Sequence, residues 1–118
     1  MKLNALGCGV EICDIDISAG LSAKEMDGVK EAFFEHGLIF IRNQKISEQD
    51  QIAFAEQFGE INVNRFIRAH PEYPQVALVT KEPDEIENIG GGWHTDHSYD
   101  EIPALGSILA ARQLPAAG

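Results

Sequence analysis

Apolar and polar residues change period several times along the chain, and each change marks an element. Over residues 10–17, Val10, Ile12, Ile15 and Ile17 alternate with Glu11, Asp14, Asp16 and Ser18. Period two predicts an early strand, and one slip at Cys13–Asp14 suggests a bulge. Ser22-Ala-Lys-Glu25 then has the form of a capping box, in which a serine hydroxyl and a glutamate each satisfy a free backbone N–H. Met26, Val29 and Phe33 follow on one helical face, and Gly37 stops the helix, so 22–36 is predicted helical. The apolar run 38–41 is too short for a helix and reads as a buried strand. Ser47-Glu48-Gln49-Asp50 opens a second helix over 47–58, with Ile52, Ala55 and Phe58 at helical spacing and Gly59 at its end.

The second half is less regular. Residues 62–70 have no clear period, and His70 ahead of Pro71 reads as a solvated loop residue. Residues 76–80 are a short strand candidate. The acidic stretch 81–88 contains Pro83 and reads as a solvated loop. Gly90-Gly91-Gly92 marks a hinge, or a backbone that must approach something closely. Residues 105–111 form another apolar run, predicted to be a core strand, and 115–118 read as an opening turn.

Composition narrows the class. The 118 residues suffice for one domain with a modest core. A hydrophobic fraction of 44% and a charged fraction of 24% are ordinary for a globular protein, and no apolar run is long enough to cross a bilayer. Lys2 followed by residues 3–10 faintly resembles a signal peptide, but Asn4 and Glu11 interrupt it, so it reads as the start of the fold. A net charge of −10 repels phosphate backbones and argues against nucleic-acid partners. Cys8 and Cys13 are too few for a disulfide framework, which fits reduced thiols and a cytoplasmic location.

The candidate chemistry lies in His94-Thr95-Asp96. In an extended strand, residues two apart share a face, so the imidazole and the carboxylate can reach one metal ion. Two histidines and one carboxylate form a facial triad that leaves open positions on Fe(II). A bare H-x-D is common by chance, and a zinc hydrolase would use the same residue types. Alternation turns His97 away from such a metal. Trp93 reads first as a packing residue.

The surroundings are more specific. Gly90-Gly91-Gly92-Trp93-His94-Thr95-Asp96-His97-Ser98-Tyr99, then Ile102-Pro103 and the run from Gly106 to Leu114-Pro115, resemble the taurine dioxygenase family. The stretches Gly37-Leu38-Ile39-Phe40-Ile41-Arg42-Asn43-Gln44 and Phe58-Gly59-Glu60 resemble that family's front region. The resemblance implies an Fe(II)- and 2-oxoglutarate-dependent dioxygenase. Such an enzyme couples decarboxylation of 2-oxoglutarate, with O₂, to oxidation of a small organic substrate, with an anion among the candidates.

The resemblance also implies an α+β to mainly β fold, an incomplete double-stranded β-helix (jelly roll) with flanking helices. Residues 1–118 would be the N-terminal portion of a single dioxygenase domain. His94 and Asp96 would be two iron ligands. The distal histidine and the residues that hold 2-oxoglutarate are expected beyond Gly118, so these residues alone are expected to be inactive. Family members that use taurine carry a histidine, a tyrosine and an asparagine where Asn64, Ile67 and Gly90 stand here. These three are the substrate-pocket candidates, and all three count against taurine itself. Arg65 and Arg68 could meet an anionic substrate. A homo-oligomer is compatible with this reading. The competing reading is a non-catalytic binding or regulatory protein on the same scaffold. With 105–111 as an exposed edge strand, the isolated 118 residues are expected to be marginally stable.

Overall fold

A computed structural model describes residues 1–116 as two compact units, Met1–Gly59 and Glu60–Gly118. In the first unit, β1 (Lys2–Ala5) runs antiparallel to β2 (Val10–Cys13), and β2 pairs in parallel with β3 (Ile39–Phe40). The sheet order is β1-β2-β3, with Lys2 opposite Cys13 and Val10 opposite Ile39. Parallel neighbours need a long crossover, and α1 (Ala23–His36) supplies it. Gly9 is obligatory at the β1–β2 corner, because a Cβ there would collide with the Leu38 carbonyl.

Helix α1 forms where its caps predict. Glu25 N–H donates to the Ser22 hydroxyl at 3.3 Å, Ser22 N–H donates to the Glu25 carboxylate at 2.9 Å, and Gly37 closes the end with its N–H on Phe33 O. Helix α2 (Glu48–Glu56) starts on the same device, built from Ser47 and Asp50. The core is Val10 and Ile12 from β2, Met26, Val29 and Ala32 from α1, and Phe54 from α2. Phe54 is the buried residue of α2. Ile52, Ala55 and Phe58, which the periodicity places inward, are only half-buried. Phe58 instead meets Phe33 and Phe54 edge-on, with ring centroids 5.8 and 5.5 Å apart.

The strand expected over 10–17 stops at Cys13. The slip in its alternation is a left-handed residue, Asp14 at φ 61°, which ends the ladder rather than bulging it. Past that point the Gln44 side chain stands in for a strand partner. Its Oε1 accepts from Ile17 N–H at 2.9 Å, and its Nε2 donates to Ile15 O at 3.1 Å.

In residues 60–116 regular structure is sparse. The strand expected over 76–80 reduces to one bridge, Ala69 to Ala77. His70 N–H donates to Val76 O and Leu78 N–H to Arg68 O on either side of it, each at 2.8 Å. His70 lies in a loop and remains part-exposed, and it also shapes a turn: its Nδ1 accepts from the N–H groups of Glu72 and Tyr73. The core strand expected over 105–111 is not formed, and Leu105 and Leu109 are exposed. An apolar run becomes a strand only where a neighbouring strand takes its N–H and C=O groups in a ladder, and no strand or bridge forms over 105–111 among the described residues. The turn expected over 115–118 lies partly outside the described residues.

Candidate metal centre

The site is built on irregular backbone. His94 and Asp96 belong to no strand, yet His94 Nε2 lies 3.2 Å from Asp96 Oδ1. A local bond arranges this: His94 Nδ1 sits 2.7 Å from the Gly92 carbonyl oxygen. A carbonyl can only accept, so Nδ1 carries the proton, and in the neutral ring Nε2 presents a lone pair. That lone pair faces a carboxylate oxygen. Two acceptors at 3.2 Å repel unless a cation lies between them, whether a proton or a metal ion.

The metal fits this pair. Nitrogen and oxygen donors at adjacent corners, each about 2.1 Å from an ion, lie roughly 3 Å apart. A backbone carbonyl on the far nitrogen is the usual way a ligating imidazole is held in one tautomer and orientation. Both side chains are exposed, at 53% and 71%, so an ion can reach them from solvent. Among the described residues no third histidine, cysteine or carboxylate joins them.

Of the glycine run, Gly90 is the residue that borders the site. Its φ is +72°, and a Cβ there would stand 3.1 Å from His94 Cε1 and 3.6 Å from Nε2. The backbone expected to approach something closely is thus the floor beneath the His94 ring. Trp93, read as a packing residue, is fully exposed.

Asn64 and Ile67, the other pocket candidates, adjoin one another. Asn64 Oδ1 accepts from Phe66 N–H at 2.8 Å and Ile67 N–H at 2.9 Å, an Asx turn that fixes the amide. Asn64 Nδ2 reaches His97 Nε2 at 3.3 Å. His97 therefore has a definite partner, which alternation did not reveal. The alternation argument presumes a strand, whereas His97 sits at φ 52°. Arg65, a candidate for meeting an anion, is paired with Asp100 at 2.8 Å and stacks over Phe66 at 5.1 Å from the ring centroid.

Comparison with known proteins extends this picture. A family model described as taurine catabolism dioxygenase TauD, TfdA family matches residues 3–118. The (S)-phenoxypropionate/alpha-ketoglutarate-dioxygenase of Sphingobium herbicidovorans is 26% identical over 117 residues, which are 97% of this chain and 39% of that protein. The alpha-ketoglutarate-dependent sulfate ester dioxygenase of Pseudomonas putida is 31% identical over 115 residues, 93% of this chain and 36% of that one. A crystal structure from Burkholderia xenovorans, provisionally assigned as an alpha-ketoglutarate-dependent taurine dioxygenase, superposes with a TM-score of 0.67 at 25% identity. That match covers 82% of this chain and 35% of the other. The chain thus spans well under half the length of the proteins it matches. No helix among the described residues is long and apolar enough to cross a membrane.

Proposed function

The chain belongs to the taurine catabolism dioxygenase TauD, TfdA family, and from that premise we propose that the complete protein is an Fe(II)- and 2-oxoglutarate-dependent dioxygenase of a small organic anion. The observation that carries the reading is the His94–Asp96 pair, two acceptors 3.2 Å apart with the imidazole held by Gly92 O. Such a pair favours a cation, and a first-row divalent ion suits its nitrogen and oxygen donors.

His94 and Asp96 supply two ligands. A third ligand and the 2-oxoglutarate contacts come from chain beyond residue 118, within a complete jelly roll of which 1–118 is the front portion. When bound, the iron supplies activation of O₂ coupled to oxidative decarboxylation of 2-oxoglutarate. The residues described here hold and orient it. The Gly92 carbonyl keeps the His94 lone pair aimed at the ion, and Gly90 leaves the space beside Nε2 clear for other ligands. The Asn64–Ile67 segment and Gly90 line the substrate side.

Phenoxypropionate and sulfate esters, named for the relatives, are anions, which supports an organic carboxylate or sulfate ester as substrate class. Asn64, Ile67 and Gly90 disfavour taurine. The enzyme acts in the cytoplasm on a small molecule, as a monomer or homo-oligomer, without nucleic acid or membrane partners, and residues 1–118 alone are inactive.

The test is an assay of the complete gene product with Fe(II), O₂ and 2-oxoglutarate against a panel of aryloxy acids, alkyl sulfates and taurine. Succinate should form with at least one aryloxy acid or alkyl sulfate, and Asp96→Ala should abolish it. Absence of both coupled and uncoupled 2-oxoglutarate decarboxylation by the metal-loaded protein would sink the proposal.

A further inference from the structure

We infer that His97 is a positioning residue, which ties the Asp96 end of the metal pair to the Asn64 segment. The inference rests on the iron reading above and concerns a residue that contributes no ligand. Three observations carry it.

First, the backbone at His97 adopts φ 52°, a left-handed conformation that costs a non-glycine residue about 1 kcal/mol or more and persists only where surroundings enforce it. Second, the His97 side chain is mostly covered, at 20% exposure, whereas its neighbours Asp96 and Ser98 are exposed. The ring lies beside Phe66 and Tyr99, each with its centroid 5.8 Å away. Third, its polar contacts have a fixed sense. Both Asn64 Oδ1 contacts are to backbone N–H groups, so the atom facing His97 is the amide nitrogen, a donor. His97 Nε2 therefore accepts, and the ring proton sits on Nδ1.

Nδ1 lies 3.3 Å from Asp100 Oδ2 but is too poorly aligned to make a hydrogen bond, so this contact is electrostatic. The other Asp100 oxygen holds Arg65 at 2.8 Å. Residues 64–67 and 97–100 are thus laced together at His97, one peptide bond from Asp96.

The consequence is specific. Removing the His97 nitrogens should displace Asp96 and weaken metal binding, although His97 touches no metal. A role confined to packing would lower stability and leave metal binding alone. Co(II) serves as a probe on the complete protein, read by its dissociation constant and its visible d–d spectrum. His97→Phe keeps a ring between Phe66 and Tyr99 and removes both nitrogens. His97→Gln restores an acceptor near the Nε2 position.

His97→Phe should weaken Co(II) binding about tenfold, the lower end for groups that orient ligands, and change the spectrum at a temperature where the protein stays folded by circular dichroism. His97→Gln should recover most of the affinity, and Asn64→Ala added to His97→Phe should cost little more. His97→Phe matching the parent in affinity and spectrum would overturn the inference, as would Gln recovering nothing. If the parent shows no Co(II) binding sensitive to Asp96→Ala, the iron reading fails, and this inference with it. That outcome appears before any His97 variant is made, so the two failures are distinguishable.

Discussion

Residues 1–59 and residues 60–116 are held in shape by different physics. Every buried apolar side chain among the described residues lies in the first region: Val10, Ile12, Met26, Val29, Ala32 and Phe54. The second region has no buried core. Its order comes from polar devices: the local Asn64 turn, His70 turn and Gly92–His94 bond, and the longer-range Arg65–Asp100 pair. The proposed metal pair, His94 and Asp96, sits in the second region. A metal-binding pair needs donors held at solvent-accessible positions in set directions, and short hydrogen bonds on bent backbone achieve that without a hydrophobic core. The cost is weak cooperativity, because local contacts open locally. Ile102, Leu105, Leu109 and Leu114 stand exposed there, so marginal stability remains the expectation for the isolated chain. Its source is scattered apolar side chains rather than a bare edge strand.

The contrast is broken most severely by cutting into the first region's core. Ile12 is 2% exposed at the centre of the three-stranded sheet. Ile12→Ala should cost about 2–5 kcal/mol, the range for truncating a buried isoleucine. Denaturant unfolding of the complete protein, followed by far-ultraviolet circular dichroism, measures it. The helical signal should be lost at lower denaturant. A cost below about 1 kcal/mol would mean that the first region is not the cohesive one.

A substitution in the second region should do the reverse. Gly90→Ala places a methyl group 3.1 Å from the His94 ring at a backbone φ of +72°. Because the second region has no core to disrupt, stability should fall by only about 1 kcal/mol, the backbone penalty. Metal affinity of the complete protein should fall about tenfold as the imidazole is pushed from its place. Titration with Co(II) separates the two effects. A large loss of stability with unchanged affinity would show that Gly90 serves the fold rather than the site.

How much could be read from the chain alone follows the same division. Both helices were legible because capping boxes are written in four consecutive residues, Ser22 to Glu25 and Ser47 to Asp50. Strands depend on distant partners. Hence 10–17 reads too long, 105–111 reads as a strand where none forms, and β1 is missed although Leu3 and Ala5 alternate with Lys2 and Asn4. The proposed metal pair is legible as a motif, but the sequence alone implies a strand geometry for it. The structure reaches the same convergence through a turn and a carbonyl. That substitution matters for His97: a strand would point it away, and the bend gives it Asn64, Phe66 and Tyr99 as neighbours. The proximity of Asn64 and His97 has no local signature, because the two are 33 positions apart.

The smallest expected effect tests whether the first region also leans on polar devices at its helix ends. The Ser22 hydroxyl and N–H hold the Glu25 carboxyl below its ordinary value, and Ser47 does the same for Asp50 through its N–H and hydroxyl. A carboxyl with a lowered folded-state pKa stabilises the fold above its unfolded pKa, about 4 for these residues. That contribution disappears as the pH falls through the lowered value. The helical signal of the chain should therefore weaken on acidification below about pH 4. Glu25→Gln keeps the capping-box geometry without a titrating group. It should leave stability at pH 7 almost unchanged and flatten the acid limb. An acid limb of unchanged slope in the double variant Glu25→Gln, Asp50→Asn would mean that the caps shape the helices without governing their response to pH. The burial of Val29 and Ile12 would then account for the first region without help from its charged ends.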